Sequence, residues 1–343
     1  MDISYNNIIS LENLLLAWKE FLKGKRKKKD VQEFQMHLMD NILSLHNDLK
    51  NKSYTHGGYH AFNISDPKPR NIHKASVRDR LLHHAIYRVL YPYFDSKFVH
   101  DSYSCRKWKG THRAIDRFRY FGRKVSKNNT KQCWILKCDV RKFFASIDQE
   151  ILLSILKSYK LDIDTIWLLN QVISSFNTQT SNSLIYDMSY IKRGLPLGNL
   201  TSQLLVNVYM NKFDQYLKHT LKIKYYIRYA DDFVIFSQDK SELIDIVRYI
   251  ELYLKNNLNL ELHPNKVFVK TLFSGVDFLG WTHFSHHRTL RTVTKRRMLK
   301  KIQDNPKSEI TQSYLGLLSH GNTWKIQKNI SVIQKINKSL LKT

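Results

Sequence analysis

The stretch YIRYADDFVIF, residues 226–236, sets two adjacent acids, Asp231 and Asp232, inside an otherwise apolar run. Burying two unpaired carboxylates costs several kcal/mol, so either a cation neutralises them or the segment is exposed. The flanking aromatic and β-branched residues argue against exposure. Their alternation on either side of a two-residue Asp-Asp corner predicts a β-hairpin.

A second strand pattern, WILKCDV at 134–140, leads into another acid, Asp139, and KFFASID then turns into a helical pattern at 149–160. If these strands are neighbours in one sheet, Asp139, Asp231 and Asp232 converge, and divalent cations are the natural neutralisers. Two Mg²⁺ ions about 3.5–4 Å apart can activate a hydroxyl and stabilise a leaving oxygen in phosphoryl transfer. Mg²⁺ needs only a few carboxylates beside substrate phosphate oxygens. Taken alone, Asp231 and Asp232 read as ordinary turn residues, and it is the ensemble of motifs that reverses this.

Between the two units, RGLPLGNLTSQLLVNVYMNKFD (193–214) runs from a Pro/Gly loop into an amphipathic helix. A helix at 240–256, a strand at 266–270 and a β-turn-β at 273–284 are expected to complete the sheet. Upstream, Ile8, Leu11, Leu14, Leu15 and Trp18, and then Phe34, Leu38, Ile42, Leu45 and Leu49, have helical spacing and predict a helical hairpin over 8–50. An extended stretch at 51–75 and a long helix at 76–93 follow. The tail, 294–343, is basic and helical.

The 343 residues carry 56 Lys and Arg against 29 acids, a net charge of +27 that no single tail holds. This points to a polyanionic partner, nucleic acid or an acidic membrane surface, with a Lys-rich composition bias as the rival source. Aromatics, 12% of residues, suit stacking on bases as well as core packing. Cys105, Cys133 and Cys138 form no C-x-x-C pair, which suggests a reducing compartment. The start lacks a signal-peptide pattern and no apolar run is long enough to span a bilayer, so a cytoplasmic, soluble protein is expected.

In their order and separations, CDVRKFFASID (138–148), RGLPLGNLTSQLLVN (193–207), YADD (229–232), LELHPNK (260–266) and DFLGW (277–281) resemble the palm motifs of reverse transcriptases. The resemblance covers nearly the whole chain. It implies an α+β right-hand polymerase fold: N-terminal helices and fingers over 1–130, a palm with an antiparallel sheet over 131–281 that interleaves fingers elements at about 150–190, and a short helical thumb over 282–343.

The activity it implies is RNA-directed DNA synthesis with two Mg²⁺ ions, Mn²⁺ substituting, held by Asp139, Val140, Asp231 and Asp232. Lys266 would protonate the leaving pyrophosphate, or is an ordinary surface lysine. Phe144 would exclude a 2′-hydroxyl while Phe143 packs in the core; the rival reading makes both rings structural. Lys68 and Arg70, in DPKPRNIHKASVRDR (66–80), would hold the triphosphate beside Lys74, Arg78 and Arg80, unless this is a solvated basic face. Tyr229, Leu279 and Gly280 would contact the primer end, and Lys295, Arg296 and Arg297 the duplex backbone.

Within that family, Leu197 stands in Pro196-Leu197-Gly198 where most members have Gln, and Gln203 stands where many have Pro. Both features, with SYLGLLSHGNTWK (313–325), are similar to reverse transcriptases of diversity-generating retroelements. That resemblance implies misincorporation opposite template adenine, a structured RNA that supplies template and primer, and a basic pentameric accessory protein. A defence-associated bacterial reverse transcriptase and a catalytically inactive nucleic-acid-binding scaffold remain as alternatives.

Overall fold

The computed structural model describes residues 2–65, 69–178, 192–305 and 308–330. The N-terminal third folds as α1 (Tyr5–Ile9), α2 (Leu11–Phe21), α3 (Lys29–Met36), α4 (Leu38–Lys50), the strands β1 (Tyr59–Ile64) and β2 (Arg70–Ala75), and α5 (Val77–Asp95). There follow α6 (Thr111–Val125), β3 (Trp134–Asp139), α7 (Phe143–Ser146), α8 (Gln149–Lys157), α9 (Ile163–Ser174) and α10 (Leu200–Gln215). The remainder comprises β4 (Tyr226–Tyr229), β5 (Asp232–Ser237), α11 (Lys240–Leu258), β6 (Phe268–Thr271), β7 (Val276–Phe278), β8 (Trp281–His283), β9 (Arg288–Leu290), α12 (Thr292–Asp304) and α13 (Ser308–Leu318). No helix among the described residues is long and apolar enough to cross a membrane. All three cysteines are free thiols, Cys133 and Cys138 being buried.

The chain divides into two compact units, each assembled from three separate segments. The first comprises residues 1–106, 140–223 and 250–264, and the second 107–139, 224–249 and 265–343.

In the first unit the helical hairpin expected over 8–50 is four helices. Apolar residues at helical spacing bury Ile8, Leu14, Trp18 and Phe21, then Ile42, Leu45 and Leu49, whereas Leu11 lies at the edge of the apolar stripe and stays exposed. β1 and β2 form an antiparallel hairpin with Ile64 opposite Arg70. Its base is tied down by a buried carboxylate on α5. Asp79 accepts from the Tyr54 hydroxyl (2.7 Å), the Ser76 hydroxyl (2.6 Å) and the Gly57 amide (3.2 Å). Ser76, the N-cap of α5, accepts in return from the Asp79 amide, which satisfies one otherwise orphaned backbone donor of the helix terminus.

The second unit holds a four-stranded antiparallel sheet in the order β4-β5-β3-β6. α6 lays Ala114, Ile115, Phe118, Phe121 and Val125 inward, with Phe118 edge-on to Phe236 of β5 at 4.8 Å. The β-turn-β segment does not extend this sheet as the sequence suggested: β7, β8 and β9 form a three-stranded sheet of their own. Their partner is a helical core in which Trp281 is buried among Ile115, Leu290, Met298, Ile302 and Leu318.

Replacing Asp79 by Ala strands the buried Tyr54 hydroxyl, at about 1–3 kcal/mol for an unsatisfied group, and takes the partners of the part-buried Ser76 hydroxyl and Gly57 amide. Denaturant unfolding of Asp79→Ala is expected to show a loss of about 2–4 kcal/mol. A midpoint within experimental error of wild type would show that this network does not hold the hairpin.

Candidate active site

The second unit brings the predicted acids together through strand register. β3 and β5 pair so that Asp139 lies directly opposite Asp232, and Lys137 opposite Val234. Residues directly opposite in an antiparallel pair share a face with their Cβ atoms about 4.5–5.5 Å apart, and like charges placed so are destabilising. The two carboxylates are therefore forced neighbours.

The hairpin turn differs from the expected Asp-Asp corner. Tyr229 pairs with Asp232, so the two turn residues are Ala230 and Asp231, and Asp232 is already the first residue of β5. Ala230 has φ 57°, the left-handed region that two-residue hairpin turns require and that a Cβ makes costly, about 1–2 kcal/mol. Arg228, fully buried, donates to the Ala230 carbonyl at 3.1 Å and steadies that turn. The Tyr229 hydroxyl accepts from Thr111 at 3.2 Å.

Two lysines meet the carboxylates. Lys137 Nζ lies 3.3 Å from Asp232 Oδ2, and Lys266 Nζ lies 2.8 Å from Asp139 Oδ1. Lys137 precedes Asp139 by two residues, so strand alternation puts it on the same face, diagonal to Asp232. The compensation is incomplete. Asp232 Oδ1 is buried and has no hydrogen-bond partner. Burial first, opposed by Lys137 and reinforced by Asp139 and Asp231, pushes the Asp232 carboxyl up to about 7. A buried carboxylate with a free oxygen between two other acids fits a cation, as the chemistry of a divalent-metal site requires. Among the described residues no group of three or more His, Cys, Asp or Glu side chains is placed to hold a metal ion.

The remaining predicted residues divide between the units. In the second, Leu279 (φ 49°) and Gly280 (φ 86°) form the turn between β7 and β8, and the Gly280 carbonyl accepts from the Arg291 amide at 3.2 Å. Lys295, Arg296 and Arg297 lie on α12; as consecutive helical residues they fan around the axis.

In the first unit, Val140 bridges to Leu262, and Phe143 is buried with the partly exposed Phe144 ring edge-on to it at 5.6 Å. Leu197 is half-buried in a loop laid on β2: its carbonyl accepts from the His73 amide at 3.0 Å, and Asn199 donates to the His73 carbonyl at 3.0 Å. Gly198, with φ 104°, sits where a Cβ would come within 2.9 Å of Ile72. Gln203 occupies the first turn of α10 and Arg70 is exposed at the start of β2. Lys68 lies outside the described residues.

Of the fingers cations, Lys74 and Arg80 both pair with Asp30, at 2.7 and 2.6 Å, and Arg78 pairs with Asp48. These three are structural ties in the first unit. Sequence reasoning missed Lys137, Arg228 and Asp79; the signal for the first two was a cation at strand spacing from the acids, at Asp139 minus two and Asp232 minus four.

The sequence profile of the reverse transcriptase (RNA-dependent DNA polymerase) family matches residues 64–283. Protein YkfC of Escherichia coli is 22% identical over 277 residues, covering 71% of this chain and 69% of that protein. The putative COX1/OXI3 intron 2 protein of Saccharomyces cerevisiae is 21% identical over 66% of this chain and 31% of its own length. Among solved structures, apo telomerase from Candida tropicalis covers 74% of this chain and 60% of its own, with TM-score 0.49 and 12% identity. Telomerase from Candida albicans, solved with a fragment of telomeric RNA, covers 71% and 49% with TM-score 0.46 and 13% identity.

A free, buried Asp232 oxygen makes a stability prediction. The folded carboxyl is raised from 3.8 to about 7, so its stabilising contribution is full below about 4 and is lost as pH rises through about 7. Metal-free wild type is expected to lose thermal stability between pH 5 and 8 relative to Asp232→Asn, and to regain it with added Mg²⁺ while the variant does not respond. Equal Mg²⁺ responses in the two proteins would rule out Asp232 as a ligand.

Proposed function

We propose that this chain, which belongs to the reverse transcriptase family and is by that membership an RNA-directed DNA polymerase and nucleotidyltransferase, copies the RNA of a diversity-generating retroelement with deliberate infidelity. The observation that carries the reading is Leu197. Where most relatives place a Gln amide this chain places an apolar side chain, on a loop whose backbone is hydrogen-bonded to β2. An amide at that point can fix the nascent base pair by one hydrogen bond. Its loss weakens selection by about 1 kcal/mol, several-fold in discrimination.

Asp139, Asp231 and Asp232, with Val140, would hold two Mg²⁺ ions, or Mn²⁺, and the bound ions would supply activation of the primer hydroxyl and charge neutralisation at the leaving pyrophosphate. Lys266 leaves its pair with Asp139 and donates a proton to that pyrophosphate. Phe144 excludes a 2′-hydroxyl, supported by its partial exposure beside a buried Phe143, and Arg70 offers a planar donor fork to the triphosphate. Leu279 and Gly280, in the β7–β8 turn, meet the primer end with Tyr229. The fingers comprise the N-terminal 130 residues and the thumb those from 282 onward, with the palm between. A net charge of +27 suits a complex scaffolded by structured RNA, and a basic pentameric accessory protein would join through that RNA.

Two experiments test this. Leu197→Gln is expected to lower misincorporation opposite template adenine several-fold more than opposite other bases, read by sequencing cDNA from one defined template; an error spectrum identical to wild type would place infidelity elsewhere. Phe144→Ala is expected to admit ribonucleotides in primer extension at least tenfold more readily, and an unchanged sugar preference would move the gate to another residue.

A further inference from the structure

α6 carries far more positive charge than its own acids offset. Its 15 residues, THRAIDRFRYFGRKV, hold five Lys and Arg and one acid. No acid lies in its first turn, where the helix dipole favours one, and Gly110 provides no side-chain cap. Arg113 with Arg117, and Arg119 with Arg123, are like charges at i and i+4, each pair destabilising. The single acid, Asp116, is turned to Arg288, whose two terminal nitrogens donate to it at 3.0 Å. Among the described residues, no carboxylate forms an ion pair with Arg113, Arg119, Arg123 or Lys124.

The helix is held by its apolar face, and the cations are exposed on the other. At 100° per residue, His112, Arg113, Asp116, Arg119, Tyr120, Arg123 and Lys124 occupy one arc of about 140°. Tyr120 stands half-exposed within the arc, with Lys124 over its ring at 5.7 Å. Just before the helix, Trp108 is 83% exposed between Lys107 and Lys109. An exposed indole and phenol among cations are stacking platforms for unpaired bases, and cations at helical spacing along about 17 Å of axis match the phosphates of a nucleic-acid backbone.

We infer that the exposed arc of α6, with Trp108 at its N-terminal edge, is a docking surface for the backbone of a structured RNA. This deepens the reverse transcriptase reading by naming where the chain grips an RNA outside the copied strand. An acidic protein surface would meet the charge but not use the aromatics, so RNA is the occupant the chemistry favours.

The test compares wild type with the triple variant Arg119→Gln/Arg123→Gln/Lys124→Gln, using a labelled RNA stem–loop with a single-stranded extension and fluorescence anisotropy across a salt series. Three lost phosphate contacts are expected to weaken binding at least tenfold near 0.1 M salt and to flatten the slope of log affinity against log salt by about 2. The variant should melt close to wild type, since the Arg119–Arg123 repulsion it removes offsets the loss of two cations from the last turn of the helix, and should extend a short pre-annealed DNA primer on RNA at the wild-type rate. Affinity within twofold of wild type overturns the proposal, as does a variant that binds weakly because it also loses primer extension. A wild-type protein that binds the stem–loop, loses it in the variant and yet extends no primer would sink the polymerase reading while upholding the surface.

Discussion

Two carboxylates face each other across a pair of hydrogen-bonded strands, and the side chains around β3 and β5 are arranged about that repulsion. The register that sets Asp139 opposite Asp232 is carried by the apolar residues that precede Asp139 in β3 and follow Asp232 in β5, because a one-residue slip would repack every buried side chain of the two strands. The sheet therefore cannot relieve the repulsion by sliding. It is relieved by cations. Lys137 and Lys266 supply two, while Oδ1 of Asp232 is buried without a hydrogen-bond partner. Strain at Ala230, steadied by the buried Arg228, adds to a site that is costly in the free protein and is the kind of cost that persists at catalytic centres.

The same logic separates the basic residues that are structural from those that await a partner. Lys74, Arg78 and Arg80 look in the sequence like a phosphate-gripping cluster, yet their charges are met by Asp30 and Asp48 on helices thirty to fifty residues upstream. Among the described residues, Arg113, Arg119 and Arg123 of α6 form no such ion pair, and each lies four residues from another arginine. The paired cations cancel within the 56 Lys and Arg, and the net +27 that remains is charge held in readiness for a polyanion.

Legibility in the sequence followed from how local each signal was. Asp139 and the YADD hairpin could be read because acids embedded in strand-like apolar runs are conspicuous, and the order of motifs gave the fold class. The roles of Lys137 and Arg228 were not read, since a lysine two residues from an acid means little until register shows what lies across the strand. The turn at Ala230–Asp231 was displaced by one residue from the expected Asp-Asp corner, because cross-strand pairing claimed Asp232 for β5. The separate β7–β9 sheet was hidden for a similar reason: three short strands carry no mark of which sheet they join, and burial of Trp281 against α12 and α13 decides it.

The most direct measurement is anomalous diffraction from the protein crystallised with Mn²⁺ and a pre-annealed RNA–DNA primer–template. The account predicts Mn²⁺ at the free Oδ1 of Asp232, bound also by Asp139, with the Lys266–Asp139 pair broken. Intact Lys266–Asp139 and Lys137–Asp232 pairs, with Mn²⁺ absent from all three acids, would contradict it.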